Sequence, residues 1–496
     1  MIKESTVKTA ASPDDITRVA GRGTVYITAS KIWFMLSGSG IHFALPRLMS
    51  EEMFGSYQVV VSVVSIINAV IVTGTYQTVS KYISQEEGKA GAIVSKALRV
   101  QMVTGGAISA GFFLLAPVIA GLLNDARLVN YLRLASLIPL SYSFYSVYTG
   151  YFNGLKRFVT QAGLDITYST LKLIFIVLLV WLGFGVGGGI GGFALAAACV
   201  LAISAFLARG SGSRGDVRAR DLVRFQALLL LSTLVFNLLQ KVDIILIKSL
   251  SSPDSVAASI NAGYYGAAIN LANLTYQFVV SATFIIFPLV SQATFADDLA
   301  KTRSYISTTL RYTLIVMALV ATLMSANSGE ILRVIYPDSF QAGGGALSIV
   351  AYGMLLFGTI FILTTIISAS GRPAISLIVG LCSLLTNVAL TALLVPRFGI
   401  VGAAIGTTLS MLVGVIVGGG YLMSRFGPLV PLKSLARIAA SGGALYALSA
   451  AFAPATKIMI LAQLVLLALA YAGMLVLTGE LGRRDLETVK KVIRRR

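Results

Sequence analysis

Fourteen apolar segments, each about 20 residues long and bounded by charged residues, Pro or Gly, dominate the sequence. A helix of about 20 residues rises ~30 Å, which matches the hydrocarbon core of a bilayer. Only 12% of the residues are charged, about half the share in an ordinary soluble domain. We therefore predict an all-α integral membrane protein with fourteen transmembrane helices. The predicted spans are 23–47, 54–80, 97–123, 129–152, 160–183, 187–208, 222–248, 261–290, 305–326, 344–369, 374–395, 400–424, 433–453 and 457–479.

The distribution of basic residues predicts the orientation. With the amino terminus in the cytoplasm, 29 of the 39 Lys and Arg residues fall in inside segments, 7 in outside loops and 3 within the membrane. Cytoplasmic loops of membrane proteins carry such an excess. The stretch 1–22 is polar and lacks the apolar core of a secretory signal peptide. We expect a multi-pass protein of the cell membrane (inner or cytoplasmic), with both termini in the cytoplasm.

A basic segment rich in Gly and Ser divides six predicted helices from eight and is typical of a flexible linker. Similar sequences recur on its two sides. Phe-Gly pairs begin at Phe184 and Phe398, and Arg157 and Arg372 precede them at nearly equal distances. Matching offsets in the same order indicate an internal duplication. The predicted domains are a cytoplasmic tail at 1–22, an N-lobe at 23–208, the linker at 209–221, a C-lobe at 222–424, an additional helix pair at 433–479 and a basic cytoplasmic tail at 480–496.

The helix predicted at 222–248 carries two charged residues, Lys241 and Asp243, well inside an apolar stretch. A charge at such a depth costs about 3 kcal/mol or more unless it finds a polar partner. The two residues are two positions apart, so they point to roughly opposite sides of the helix and cannot pair with each other. Asn237 shares the face of Lys241. This helix is therefore predicted to line a polar cavity.

Two other predicted helices carry ionisable residues. Lys31 lies near the middle of the first, and His42 follows eleven residues later on almost the same face. Lys31 is a cavity cation, or it snorkels to the membrane surface, or it pairs with a structural carboxylate, and His42 is either in the cavity or interfacial. On the fifth helix, Asp165 is either solvated or functional, and Lys172 lies deeper, where it needs a cavity or a partner such as Asp243.

Tyrosines recur every three residues near the end of the fourth predicted helix, at Tyr142, Tyr145 and Tyr148. Their ring faces are suited to stacking on sugar rings. Tyr is also enriched at both interfaces of membrane proteins. The spacing alone leaves both interpretations open.

Motifs for catalysis, metals and cofactors are missing from the sequence. The single His cannot form a zinc motif, and Cys199 and Cys382 both fall in apolar segments, which is typical of core residues. The glycine run 183–192 joins two membrane helices and has no strand-helix unit around it, so a dinucleotide site is not expected. The sequence has no phosphate-binding P-loop. We expect no cofactor and no metal, and transport driven by an ion gradient, the membrane potential or consumption of the product.

Three stretches carry a family resemblance. PRLMSEEMFGSYQVVVSVVSIINAVIVTGTYQTVSKYIS at 46–84 resembles the opening of the oligosaccharide flippases of the polysaccharide-export class. GYYGAAINLANLTYQFVVSATFIIFPLVS at 263–291 is similar to the eighth helix of that family, and SGRPAISLIVGLCSLLTNVALTALLVPRFGIVGAAIGTTLS at 370–410 is similar to its eleventh and twelfth helices. The resemblance extends over roughly residues 20 to 425. It places the chain in the MOP superfamily, with lipid II flippases and multidrug and toxin extrusion carriers.

The resemblance implies two six-helix lobes that form a V around a central cavity and alternate between inward-open and outward-open forms. It implies that a polyprenyl-pyrophosphate-linked oligosaccharide moves from the cytoplasmic to the outer leaflet, for the synthesis of cell-surface polysaccharide. The cationic cavity of the family corresponds here to Lys31 and Lys241 and, more weakly, to Lys81. Helices thirteen and fourteen resemble the pair that forms a lipid-tail groove in lipid II flippases. This chain has fewer arginines in its first, second and eighth helices than that family.

We expect a flippase and not an enzyme. A pyrophosphate diester brings about two negative charges into the membrane, and lysine ammonium groups can offset them. Asp243 either restrains a lysine when the cavity is empty or binds a coupling cation. The expected partners are the lipid-linked glycan, the bilayer and this cation, without nucleic acid, and the protein is expected to be a monomer. The substrate-binding candidates are Lys31, Lys241, Lys172, Asn237 and His42, and the coupling or ion-pair candidates are Asp243 and Asp165.

Two alternatives compete with the flippase. A cation-coupled multidrug exporter of the same fold would be expected to use mainly carboxylates in the membrane, whereas three lysines here outnumber Asp165 and Asp243. A membrane glycosyltransferase with a polyprenyl donor would need an acceptor site outside the membrane. Its best candidate, the Glu51–Glu52 pair, lies in a predicted loop of only a few residues.

Overall fold

The computed structural model describes residues 13–209, 219–452, 456–482 and 485, and within these ranges it contains sixteen α-helices and no strand. Three further segments, each of three to six residues, are 3-10 or π turns. The helices are α1 (Pro13–Leu48), α2 (Glu51–Gln85), α3 (Ala90–Leu122), α4 (Leu128–Ala135), α5 (Leu137–Gly154), α6 (Phe158–Leu179), α7 (Gly185–Leu207), α8 (Ala219–Leu250), α9 (Ser255–Ala272), α10 (Leu274–Phe295), α11 (Leu299–Ala326), α12 (Ser328–Ile335), α13 (Gly344–Ala369), α14 (Pro373–Phe426), α15 (Leu432–Ala450) and α16 (Lys457–Leu477).

Each of the fourteen predicted spans has a helical counterpart, which confirms the predicted fold class. The fourth span is divided between α4 and α5 and the eighth between α9 and α10, while α14 contains both the eleventh and the twelfth. In the described part of the chain, seven segments are long and apolar enough to cross a membrane, and two of them, 158–207 and 373–426, each contain two helices. The protein is an all-α, multi-pass membrane protein.

The structure changes some boundaries. α1 begins at Pro13, inside the predicted tail 1–22 and well before the predicted start of the first span. Pro followed by Asp14 and Asp15 is typical of a first helical turn, because proline needs no hydrogen-bond acceptor there and acidic residues favour the helix amino terminus. Residues 1–12, the linker at 210–218 and most of the tail after 482 lie outside the described residues.

The break between α4 and α5 lies at Ser136. Pro139 follows it in the first turn of α5. A proline has no N–H, so it cannot donate to the carbonyl four residues earlier, which belongs to Ala135, the last residue of α4. The fourth predicted span is therefore two helices.

The two Phe-Gly motifs have the same backbone conformation. Gly185 has φ 50° and ψ −133°, and Gly399, its counterpart in the second copy, has φ 56° and ψ −135°. Positive φ also occurs at Lys156 and Gly371, which lie at corresponding positions just before the helices that lead into the two motifs. A left-handed backbone favours glycine because it has no Cβ. The two halves of the chain thus turn in the same way at corresponding residues.

The helix pairs joined at Gly185 and Gly399 are called hairpins below. They differ in length by one residue. The stretch from Arg157 to Phe184 is one residue longer than the stretch from Arg372 to Phe398. The longer copy contains a π-helix at Val180–Phe184, where the shorter copy continues as an α-helix. A π turn accommodates one additional residue in a helix. The difference in length between the two copies therefore has a structural explanation.

Glycines bring the two helices of each hairpin into backbone contact. A Cβ on Gly188 would lie 2.9 Å from the carbonyl oxygen of Leu179, and a Cβ on Gly402 would lie 2.5 Å from that of Leu394. The two glycines occupy corresponding positions in the two copies, and so do the two leucines. Small residues allow such close approach of membrane helices. The packing supports the internal duplication predicted from the sequence.

The chain forms two compact units. Among the described residues, the first contains 13–41, 67–116, 130–209 and 219–230, and the second contains 42–66, 117–129, 231–452, 456–482 and 485. In the first unit, α7 packs against α5 and α6. In the second, α13 packs against α9, α10, α11 and α14, and α15 and α16 pack against α11. Leu445, Leu467 and Tyr471 form a buried apolar cluster with Ile315 at this last contact, where the Tyr471 hydroxyl also donates to the carbonyl of Ile315.

Candidate functional site

Asp243 lies on α8 in the second unit and is 2% exposed. Its carboxylate accepts hydrogen bonds from Tyr265 Oη at 3.0 Å, Asn387 Nδ2 at 2.8 Å and Thr407 Oγ1 at 2.7 Å. The three donors lie on α9 and on both halves of α14, which Gly399 divides. Buried charges are tolerated when such donors surround them. Asp243 therefore ties three helices together.

A fifth residue sets the orientation of the asparagine. Thr391 Oγ1 donates to Asn387 Oδ1 at 2.8 Å, so the amide oxygen is occupied and the amide nitrogen faces Asp243. Tyr265 Oη also lies 3.3 Å from Thr407 Oγ1. These five residues, Asp243, Tyr265, Asn387, Thr391 and Thr407, are called the Asp243 cluster below. All of its side chains end in oxygen-containing groups, which suit a proton or a hard cation.

Lys241, two residues before Asp243, is half-buried. Among the described residues, no carboxylate lies within ion-pair distance of it, and the donors to Asp243 are neutral groups. The two charged residues therefore do not pair, as their spacing on the helix requires. Asn237, on the face of Lys241, donates from Nδ2 to the carbonyl of Thr233 in its own helix at 2.8 Å.

The first unit holds a second charged cluster. Lys31 Nζ lies 3.0 Å from Asp165 Oδ2, with side chains 60% and 14% exposed, and Tyr145 Oη donates to Asp165 at 3.4 Å. Of the alternatives open for Lys31, the structure contains the pairing with a carboxylate. An exposed pair is worth about 0–1 kcal/mol. A ligand with more negative charge can therefore replace Asp165 as the partner of Lys31.

Lys172 on α6 is half-buried, and its ammonium lies 3.8 Å from the centre of the Phe193 ring on α7. A cation over an aromatic face is stabilised by the ring quadrupole. In the internal duplication, Lys172 corresponds to Asn387, and Phe193 corresponds to Thr407. At these two positions the first unit has a lysine and an aromatic ring, whereas the second unit has the side chains that donate hydrogen bonds to Asp243.

The tyrosines of α5 pack inside the first unit. The Tyr142 ring contacts Tyr145 and Tyr168 edge to face, with centroids 5.9 and 5.3 Å apart. Tyr145 is 5% exposed. Its ring is therefore not accessible to a sugar in this structure. Tyr148 is half-buried and lines a groove described below.

His42 is half-buried on α1 and lies in the segment 42–66 that belongs to the second unit. Lys31, earlier on the same helix, belongs to the first unit. The predicted site residues therefore fall into two groups by unit. Lys31, Asp165 and Lys172 lie in the first, and His42, Asn237, Lys241 and Asp243 lie in the second.

Sequence reasoning missed a buried ion pair in the second unit. Lys248, the last residue of the predicted span 222–248, is 0% exposed, and its Nζ lies 2.8 Å from Asp125 Oδ2 and 2.6 Å from Ser259 Oγ. Arg127 bonds Asp125 at 2.9 Å and Glu52 at 2.6 Å. Lys248, Asp125, Arg127 and Glu52 are called the Lys248 cluster below. Burial raises the pKa of Asp125, but hydrogen bonds from Arg127 and Lys248 outweigh it and hold that pKa below its usual value.

Solved structures share this fold. A lipid II flippase, MurJ, in an inward closed conformation matches with a TM-score of 0.74, 13% identity, and coverage of 91% of this chain and 97% of that one. An inward-facing multidrug resistance transporter of the MATE family of the MOP superfamily matches with a TM-score of 0.66, 14% identity, and coverage of 79% and 95%. The class is therefore a helical membrane protein with the fold of the MOP superfamily.

Sequence similarity identifies the family. Residues 44–342, more than half of the chain, match the family described as polysaccharide biosynthesis protein, and the chain belongs to this family. It is 26% identical over 162 residues to a probable low-salt glycan biosynthesis flippase of Haloferax volcanii, and 28% identical over 147 residues to an uncharacterized membrane protein of Methanocaldococcus jannaschii. The matched regions span 34% and 29% of these relatives. The resemblance predicted from the sequence is confirmed.

Proposed function

We propose that the protein is a flippase that moves a polyprenyl-pyrophosphate-linked oligosaccharide from the cytoplasmic to the outer leaflet of the cell membrane by alternating access. The observation that carries the proposal is the half-buried Lys241, which forms no salt bridge with a carboxylate among the described residues of this polysaccharide biosynthesis protein. A lysine within a membrane helix is typical of a substrate or ion pathway. The relative named as a glycan biosynthesis flippase and the fold shared with a lipid II flippase support it.

The lysines supply the chemistry for a diphosphate. The ammonium groups of Lys31, Lys172 and Lys241 are the candidates to offset about two negative charges. Lys31 exchanges its partner Asp165 for the diphosphate, so Asp165 holds the lysine in place when substrate is absent. His42 and Asn237 add hydrogen bonds to the glycan or its phosphates. Strong binding by fixed arginine forks would hinder release, whereas lysines are mobile point charges.

Asp243 supplies the coupling. Its three hydrogen-bond donors are neutral groups, and no cation forms a salt bridge with it among the described residues of the second unit. A proton or a monovalent cation that binds there removes the cost of burying the negative charge. Because the donors come from α9 and both halves of α14, binding changes how these helices are held together. We therefore favour coupling over restraint of a lysine as the role of Asp243.

One observation favours a second candidate function. The Asp243 cluster is a site of the kind that a cation-coupled drug exporter requires, and MATE transporters share the fold. Such an exporter would carry organic cations, which the three lysines repel.

The relatives and solved structures with a named activity are flippases and transporters. They give the glycosyltransferase alternative no support.

Transport in liposomes separates the two functions. The purified protein is reconstituted with a labelled polyprenyl-pyrophosphate oligosaccharide in the outer leaflet, and an added lectin reports how much glycan remains accessible. We expect protein-dependent loss of lectin access, and no movement of ethidium in parallel vesicles. Ethidium transport without movement of the glycan would refute the flippase function and support the drug exporter. Protein-free liposomes and heat-inactivated protein are the controls.

A further inference from the structure

A groove of about 380 Å³ lies in the first unit, apart from its charged cluster, between α3, α5 and α7. One wall consists of Val94, Leu98 and Met102, which follow each other at four-residue spacing along α3. The opposite wall contains Ala205 and Ala208 of α7, whose small side chains leave the space open. Met102 is 67% exposed, so the apolar wall continues onto an apolar surface of the unit.

The groove is also lined by polar side chains. Arg99 and Ser95 of α3 and Tyr148 of α5 line it and present a guanidinium and two hydroxyl groups. Arg99 is exposed and has no ion pair with a carboxylate among the described residues, and none of the lining residues is acidic. Arg209 follows the lining residue Ala208 in the chain. The polar side chains of the groove are therefore complementary to an anion.

The combination of polar and apolar lining selects a class of ligand. An anion in solution would use the polar side chains alone and leave the apolar wall without a partner. A bilayer lipid with an anionic head group places its phosphate at the polar side chains and an acyl chain along the apolar wall. Basic pockets between membrane helices on the cytoplasmic side bind such lipids. α3 begins and α7 ends beside segments that the charge distribution predicts to be cytoplasmic.

We propose that this groove is a binding site for an anionic phospholipid of the bilayer. The phosphate binds Arg99 and the hydroxyl groups of Ser95 and Tyr148, and an acyl chain lies against Leu98 and Met102. The site is separate from the lysines that face the transported diphosphate, and it does not depend on what the protein transports. Its occupant is a resident lipid that joins α3 to α7.

Lipid titration tests the site. Native mass spectrometry of the full-length protein in detergent measures the binding of dioleoylphosphatidylglycerol and, in parallel, of zwitterionic dioleoylphosphatidylcholine. Two variants act on different parts of the groove: Arg99→Gln removes the charge, and Ala205→Leu fills the apolar part without changing charge. Arg425→Gln, at an exposed arginine of the second unit, is the matched control. Circular dichroism checks that each variant is folded.

We expect phosphatidylglycerol to bind more tightly than phosphatidylcholine. Each groove variant should weaken phosphatidylglycerol binding about tenfold. Arg99→Gln loses a hydrogen bond from a charged group, and Ala205→Leu loses the space for an acyl chain. Arg425→Gln should bind like the unmodified protein. Equal binding of the two lipids, or groove variants that bind like the control, would overturn the proposal. So would displacement of the lipid by millimolar inorganic phosphate, which would assign the site to a soluble anion.

Discussion

The buried ion pair of the Lys248 cluster allows a quantitative prediction, because Lys248→Met removes the charge and keeps most of the apolar stem. The substitution leaves the carboxylate of Asp125, which is 2% exposed, without one of its two cationic partners. It also removes the donor to Ser259 Oγ and to the Ser255 carbonyl at 2.6 and 2.7 Å. The variant should therefore be less stable than the unmodified protein.

The magnitude follows from the contacts that remain. Removing one partner of a buried ion pair costs about 3–5 kcal/mol, because the other charge stays buried. Arg127 still bonds both oxygens of Asp125 at 2.9 Å, so the charge keeps part of its compensation. Ser259 Oγ also donates to the Ser255 carbonyl at 3.0 Å, which keeps that acceptor satisfied. The loss of unfolding free energy should therefore lie at the low end of this range, about 3 kcal/mol.

The free energy of unfolding is measured by denaturant titration in a mild detergent. Lys433→Met, at an exposed lysine of the second unit, is the control and should change stability by less than about 0.5 kcal/mol. Asp125→Asn completes a double-mutant cycle, in which the pair should be coupled by at least about 1 kcal/mol. If Lys248→Met matches the control, or if the two single effects simply add, the pair does not stabilise this unit.

Three further predictions follow from other parts of the structure. Asp243→Asn should fold normally but transport at least tenfold more slowly and without dependence on the coupling ion. Transport is measured in liposomes with and without an ion gradient. An unchanged ion dependence would show that Asp243 does not bind the coupling ion. Gly402→Ala places a Cβ 2.5 Å from the carbonyl oxygen of Leu394 and should cost about 1–3 kcal/mol in unfolding experiments, whereas Gly419→Ala, with nothing within 4 Å, should be neutral or stabilising. The pKa of Asp125 is lower in the folded protein than in the unfolded chain. The stabilisation from its charge is therefore present above the unfolded pKa of about 3.9 and is lost as the pH falls through the folded pKa. Unfolding free energies measured from pH 6 to pH 2 should decline less for Asp125→Asn than for the unmodified protein.

The helices and the duplication could be predicted because their signals are local. Each span is a continuous apolar segment, and the hairpins at Gly185 and Gly399 repeat a short motif that ends in a left-handed glycine. The extended start of α1 was missed because a hydropathy reading counts Asp14 and Asp15 as a polar tail, although they are typical of a first helical turn. The break at Ser136 was readable from Pro139, whose effect on the preceding helix is local.

The partners of the charged residues were not readable in the same way. Helical spacing showed that Lys241 and Asp243 face apart, but it did not show that Asn387 and Thr407, both in ordinary apolar segments, converge on Asp243. The Lys248 pair joins residues 123 positions apart. Such contacts depend on tertiary packing of several helices, and a single sequence contains no periodic signal for them.

The lysines predicted to face the diphosphate give the most direct test of the proposed transport. Initial rates of translocation of a polyprenyl-pyrophosphate oligosaccharide are measured in liposomes with equal amounts of correctly inserted Lys31→Ala, Lys241→Ala and, as the control, Lys433→Ala. We expect the first two variants to lose at least tenfold in rate, about 1.4 kcal/mol of stabilisation, while Lys433→Ala transports at the unmodified rate. Translocation by Lys31→Ala and Lys241→Ala at the rate of Lys433→Ala would show that these lysines do not bind the diphosphate.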